Sequence, residues 1–388
     1  MEKQVFNNKN KRYSSNKNYT PLNDNLKAKK LNLYLKLIFP LIILVILFFV
    51  FSKITRNKNK QIQNIFSKKS IDIEKNKNIF ISKCKSILDN EEILENEMMK
   101  LHTTFHLGGP AKYYIKPKSI NKIIKILQLC KEYSIEYFIL GNGSNLLVSD
   151  YGYDGLIINI LEPNFSELKT EKIDDTTFKV IVGGGILMRH LAIKMCLLSL
   201  TGLEDIIDIP GTIGGGIIMN ASAGGKGLIY NSLEKVKVIT PEGEIKELSK
   251  KECELRHRGS KLQDNKYIVI EATFKMTKGN KIDIQKTMAD HTSLRYSRQP
   301  MYFPSAGCFF VWDKPKFGSL YQKYIDNNLV SYKVGDAMVY THNIAFIVNL
   351  GDAISKDVYE IVKHIEKIMK SKYNIDIKRE VVVLGDFT

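Results

Sequence analysis

The chain has 388 residues, 44% of them hydrophobic and 10% aromatic, enough for two or three domains with cores of their own and too apolar for a disordered protein. A formal net charge of +17 would suit nucleic acid or an anionic surface. It is concentrated in the Lys- and Asn-rich first 30 residues and in runs after Ser52 and from Lys68 onward, and no nucleic-acid recognition motif accompanies it, so no nucleic-acid partner is expected.

In chain order, residues 1–30 read as a disordered basic tail. Residues 31–52 include the charge-free run "LIFPLIILVILFFVFS" and predict a transmembrane helix. Basic residues flank both ends, so charge does not set its orientation. Residues 53–78 read as a charged linker, and the folded body is expected from Ile79. Between about 104 and 160, "YFIL" and "GLIINI" read as strands, and apolar residues at Ile120, Ile123, Ile124 and Leu127 predict a helix. From 178 to 278, "KVIVGGG", "KVKVIT" and "YIVIEATFKM" read as strands around glycine-rich turns. The last 95 or so residues end in an amphipathic helix, with apolar residues at Val358, Ile361, Val362, Ile365, Ile368 and Met369, and then in the strand "REVVVLG". Strands and helices mix without regular βαβ alternation, which predicts an α+β protein.

The five cysteines, Cys84, Cys130, Cys196, Cys253 and Cys308, show no CxxC spacing, and the histidines form no HExxH pattern. Neither a metal site nor a disulfide framework is expected, and the chain reads as belonging to a reducing compartment. The strongest local signals are two glycine-rich segments, "LGNGSNLLVSD" from Leu140 and "IPGTIGGGIIMNASAGGKG" from Ile209. Glycine lets backbone N–H groups converge on an anion such as a pyrophosphate. Neither segment is a Walker A loop or a Rossmann fingerprint. Taken singly, the first reads equally well as a plain hairpin turn.

In order and spacing, "TTFHLGGPAKYY" (Thr103 to Tyr114), "LGNGSNLLVSD", "LEDIIDIPGTIGGGIIMNASAGG", "RHRGSKL" (from Arg256), "RYSRQPMYFPSAGCFF" (from Arg295), "HNIAFIVN" (from His342) and "REVVVLG" (from Arg379) resemble the UDP-N-acetylenolpyruvoylglucosamine reductase family. The resemblance implies a two-part FAD-binding domain of the vanillyl-alcohol-oxidase type over 79–280, with lobes at about 79–160 and 161–280. A C-terminal α+β substrate-binding domain would occupy 281–388. The spacing is similar to the subgroup that lacks an extra substrate-covering loop. The implied activity is NADPH-dependent reduction of UDP-N-acetylglucosamine enolpyruvate through FAD, in peptidoglycan precursor synthesis. The alternatives are another FAD-linked oxidoreductase of the same fold or a degenerate flavin-binding membrane scaffold.

For FAD the resemblance implies Gly141, Asn142, Gly143, Ser144, Asn145, Leu146, Pro210, Gly211, Thr212, Gly214, Gly215, Asn220 and Ala221. For catalysis it implies Arg258, Glu380 and Cys308, the cysteine standing where a serine proton donor is usual. His257, Gln299 and Lys314 are the implied substrate contacts. Two departures stand out: His257 replaces a usual tyrosine, and "FVWDKP" replaces F-K-N-P, putting Val311 and Trp312 where diphosphate contacts are expected. A monomer is expected, with its catalytic part cytoplasmic and tethered to the inner membrane.

Overall fold

The computed structural model describes residues 29–30, 33–34, 48, 51–56, 58, 60, 74–161, 163–221, 229–312 and 317–387. Most of the predicted membrane helix therefore lies outside the described residues, as do most of the basic tail and part of the linker. Among the described residues no helix is long and apolar enough to cross a membrane. The chain divides into two units, 1–75 and 76–388, and the second carries the folded body.

The first lobe is a mixed four-stranded sheet. In spatial order its strands are Ile93–Met98, Pro110–Ile115, Tyr153–Asn159 and Tyr137–Leu140; the first pair is antiparallel and the rest parallel. Helix Ile120–Tyr133 starts at Ser119, whose hydroxyl accepts the Lys122 N–H, and ends at Ser134 in the left-handed region. Its Ile123, Ile126, Leu127 and Cys130 pack with Phe80 and Cys84 of a helix over 74–87. The polar turn at 141–145 is no hairpin. Strand Leu146–Val148 leaves Tyr137–Leu140 and pairs in parallel with Val382–Leu384, near the end of the chain.

The second lobe is built on antiparallel strands ordered Ile245–Ser249, Leu233–Ile239, Ile268–Lys278, Thr177–Gly183 and Leu168–Lys172. Val180, Val182, Val236, Val238, Ala272 and Phe274 alternate inward, as half-buried strands require, and meet helix Met188–Leu197 and the short helix Ile213–Ile218. The C-terminal part packs around helix Ser355–Tyr373. Val358, Ile361, Val362, Ile365 and Met369 are buried at helical spacing, and Ile368 sits partly buried at the margin. The Asp150 carboxylate of the first lobe accepts the Ser355 and Lys356 N–H groups, both at 2.8 Å, and so caps this helix across the molecule.

Candidate active site

A cleft of about 1250 Å³ runs between the two glycine-rich loops and opens beside the C-terminal part. The loop after Tyr137–Leu140 turns through Gly143 at φ 60°, where a Cβ would stand 2.0 Å from the His102 carbonyl oxygen; only glycine fits. The second loop enters helix Ile213–Ile218 at Thr212, whose hydroxyl accepts the Gly215 N–H at 3.2 Å. The Asn142 side-chain amide donates to the Pro210 carbonyl and ties the loops together.

The loops suit the pyrophosphate of a dinucleotide. Among the described residues, the backbone N–H groups of Asn142, Gly143, Ser144, Asn145, Gly211 and Thr212 have no acceptor. Clustered free amides on adjoining turns form an anion cradle. Of the residues expected to hold FAD, Gly141 to Leu146, Pro210, Gly211, Thr212, Gly215 and Ala221 line the cleft. Gly214 and Asn220 do not. Gly214 lies against the sheet, where a Cβ would come within 3.0 Å of the Gly184 and Val269 carbonyl oxygens. The Asn220 side chain donates to the Arg256 carbonyl at 2.9 Å, so it braces the turn that presents Arg258.

That turn is closed by hydrogen bonds between Arg256 and Gly259 in both directions, and it holds Arg258 at φ 55°, an uncommon conformation for a non-glycine residue. Arg258 Nε lies 3.2 Å from Glu380 Oε1, with the two side chains only 22% and 15% exposed. Glu380 is fixed through its backbone: its N–H donates to the Phe309 carbonyl, and its carbonyl accepts the Asn145 side-chain amide at 3.0 Å. Arg258, Glu380 and Cys308 therefore meet on one wall, with the first glycine loop positioning the acid. The thiol of Cys308 is pushed up to about 11, by burial first and the Glu380 charge second, against the opposing pull of Arg258 and Arg295. Burial also raises Glu380, and Arg258 offsets this.

The segment that carries Cys308 hangs on Thr104. Its N–H donates to the Gly143 carbonyl, its hydroxyl donates to the Ser305 carbonyl at 2.7 Å, and its own carbonyl accepts the Ser305 N–H. One residue of the "TTFHLGGP" motif thus ties the first glycine loop to the segment that carries Cys308. Gln299 lines the cleft, whereas His257 is exposed and does not. Lys314 lies outside the described residues. Trp312 donates its Nε1–H to the Gly318 carbonyl at 2.9 Å and packs on the C-terminal core. Among the cleft residues that carried no assignment from sequence are Arg295, in the quoted "RYSRQP", and Asp208, in "IIDIPG". Both stand inside recognised motifs, and only their placement reveals them.

A mixed α/β body with paired glycine loops, a free-amide cradle and an adjacent acid–base wall defines a flavin-dependent oxidoreductase. The family profile for the FAD binding domain matches residues 111–249. The profile for the UDP-N-acetylenolpyruvoylglucosamine reductase C-terminal domain matches 299–384. UDP-N-acetylenolpyruvoylglucosamine reductase of Clostridium novyi is 39% identical over 318 residues, covering 82% of this chain and 98% of the relative. That of Lachnoclostridium phytofermentans is 34% identical over 309 residues, covering 80% and 98%. The crystal structure of UDP-N-acetylenolpyruvylglucosamine reductase (MurB) from Thermus caldophilus superposes with a TM-score of 0.61 at 28% identity, covering 76% of this chain and 98% of that one. The chain belongs to the UDP-N-acetylenolpyruvoylglucosamine reductase family.

Proposed function

We propose that the chain reduces UDP-N-acetylglucosamine enolpyruvate to UDP-N-acetylmuramate with NADPH and bound FAD, a step of peptidoglycan precursor synthesis. Family membership supports the reaction. The observation that carries its assignment to particular residues is the meeting of Cys308 with the Arg258–Glu380 pair at the end of the glycine-loop cleft. FAD, when bound, supplies the hydride relay from NADPH to the enolpyruvyl group.

The protein's own part is to orient the substrate, hold charge and deliver a proton. Negative charge collects on the substrate carbon that bears the carboxylate. Arg258, held by Glu380 and by a braced turn, faces that charge at no reorganisation cost. The Cys308 S–H, neutral at physiological pH, delivers its proton to the carbon. The Glu380 charge helps to hold Cys308 in its protonated form.

The two sheets with separate cores support a two-part FAD domain of the vanillyl-alcohol-oxidase type, with lobes at about 79–160 and 161–280. The apolar run within 31–52 supports a membrane tether on the cytosolic side, where NADPH is available. Retention of the full chain in carbonate-washed membranes is the expected result; release by salt alone would rule the tether out.

Anaerobic titration tests the reaction itself. NADPH should bleach the flavin band near ~450 nm, and UDP-N-acetylglucosamine enolpyruvate should then restore it. Bleaching without recovery would overturn the substrate assignment.

A further inference from the structure

Arg258 already has a protein carboxylate, Glu380, at 3.2 Å. Arg295 lines the same cleft, and its Nε is buried with no hydrogen-bond partner among the described residues. A buried guanidinium donor without an acceptor is costly, and such groups persist where a ligand completes them. Among the described residues no protein anion accepts from this Nε. Asp208 acts on Arg295 through its charge, yet its own oxygens are engaged by the Thr292 hydroxyl and by Arg189 at 3.5 Å. The neighbouring Cys308 is a neutral thiol. The Thr292–Asp208 bond also ties helix Lys281–Arg298 to the turn that leads into the second glycine loop, so Arg295 is held in register with the cofactor site.

We propose that Arg295 is the receptor for the substrate's carboxylate. The inference rests on the reductase reading above, and the chemistry of that reaction selects the anion. The carbon that accepts a proton from Cys308 is the carbon that carries the carboxylate, so the carboxylate must lie within one bond of the protonated centre. The diphosphate is many bonds away. A planar guanidinium fork beside the thiol matches a carboxylate in two-point contact. Charge that develops on that carbon spreads onto the same carboxylate oxygens, so Arg295, which holds them from the start, and Arg258, on the same wall, would both act on it.

The test uses full-length, FAD-loaded protein and two probes. UDP-N-acetylmuramate carries the carboxylate; UDP-N-acetylglucosamine has the same nucleotide and diphosphate without it. In Arg295→Gln, affinity for UDP-N-acetylmuramate should fall about 10- to 100-fold, the scale of one charge-assisted contact, while affinity for UDP-N-acetylglucosamine stays as in wild type. The KM for the enolpyruvyl substrate should rise in parallel. Equal weakening of both probes would assign Arg295 to the diphosphate, and no change in either would leave it without a ligand; each overturns the proposal. If Arg295→Gln fails to retain FAD, Arg295→Lys, which keeps the charge but loses the fork, is read the same way: a loss confined to UDP-N-acetylmuramate is expected, and equal losses overturn. Failure of the reductase reading is separable, because wild-type flavin would then not be reoxidised by the enolpyruvyl substrate.

Discussion

At the scale of single residues, Cys308 shows how burial decides a side chain's chemistry. Two arginines nearby would favour thiolate, yet burial and Glu380 outweigh them and hold the thiol at about 11. The group is therefore an acid at neutral pH and a poor nucleophile. Iodoacetamide should modify Cys308 slowly at pH 8 compared with a free thiol, with a rate that climbs toward pH 11; Cys308→Ser identifies the signal. Rapid alkylation at pH 8 would contradict this. Asp205 makes a second case. It is 6% exposed, and burial lifts it from 3.8 to about 7. The folded state then holds a proton that the unfolded state has released, so stability falls as pH rises from about 4 to about 7. Asp205→Asn removes that penalty. Its Tm should exceed wild type by a few degrees, on the order of 1 kcal/mol, at pH 8 and match it near pH 4; equal gains at both pH values would refute the assignment.

Among the elements, the C-terminal helix depends on a residue from another lobe. Asp150 supplies acceptors for two of the orphan N–H groups at the start of Ser355–Tyr373. Asp150→Ala should cost about 1 kcal/mol in urea unfolding, within the range of lost N-caps. Thr104→Val should act differently: it loses the hydroxyl bond to Ser305 and loosens the Cys308 segment, so kcat should drop several-fold while FAD is retained. A fall in FAD content with kcat per flavin unchanged would instead place Thr104 in cofactor binding. The helix at Ser355–Tyr373 was legible in the sequence because a continuous apolar stripe faces its core. Helix Lys281–Arg298 was not, because Ile284 is its only buried residue. Its register is set by partners such as Asp208 that no periodicity can show. The "GNGSN" turn looked like a hairpin because its flanking strands are short and apolar. They do not pair with each other: Tyr137–Leu140 lies beside Tyr153–Asn159, and Leu146–Val148 beside Val382–Leu384 near the end of the chain.

For the molecule as a whole, the site is assembled from distant segments. Glycine loops announced themselves through composition, so the cofactor cleft could be anticipated. The acid–base wall could not, since Arg258, Cys308 and Glu380 have no common local pattern and came into view only through resemblance to a family. What joins them is long-range hydrogen bonding and one ion pair: Thr104 to Gly143 and Ser305, Glu380 to Phe309 and Asn145, and Arg258 to Glu380. Under the proposed function this layout separates two halves of the reaction: flavin reduction would need the cleft, and flavin reoxidation by the substrate would need the wall. The most direct measurement is anaerobic stopped-flow on Cys308→Ala, first with NADPH and then with UDP-N-acetylglucosamine enolpyruvate. The account predicts a wild-type rate of flavin reduction and reoxidation slowed at least about 100-fold, with much of the loss restored in Cys308→Ser. Reoxidation of Cys308→Ala at the wild-type rate would show that the proton comes from elsewhere and that Cys308 serves only to pack the wall.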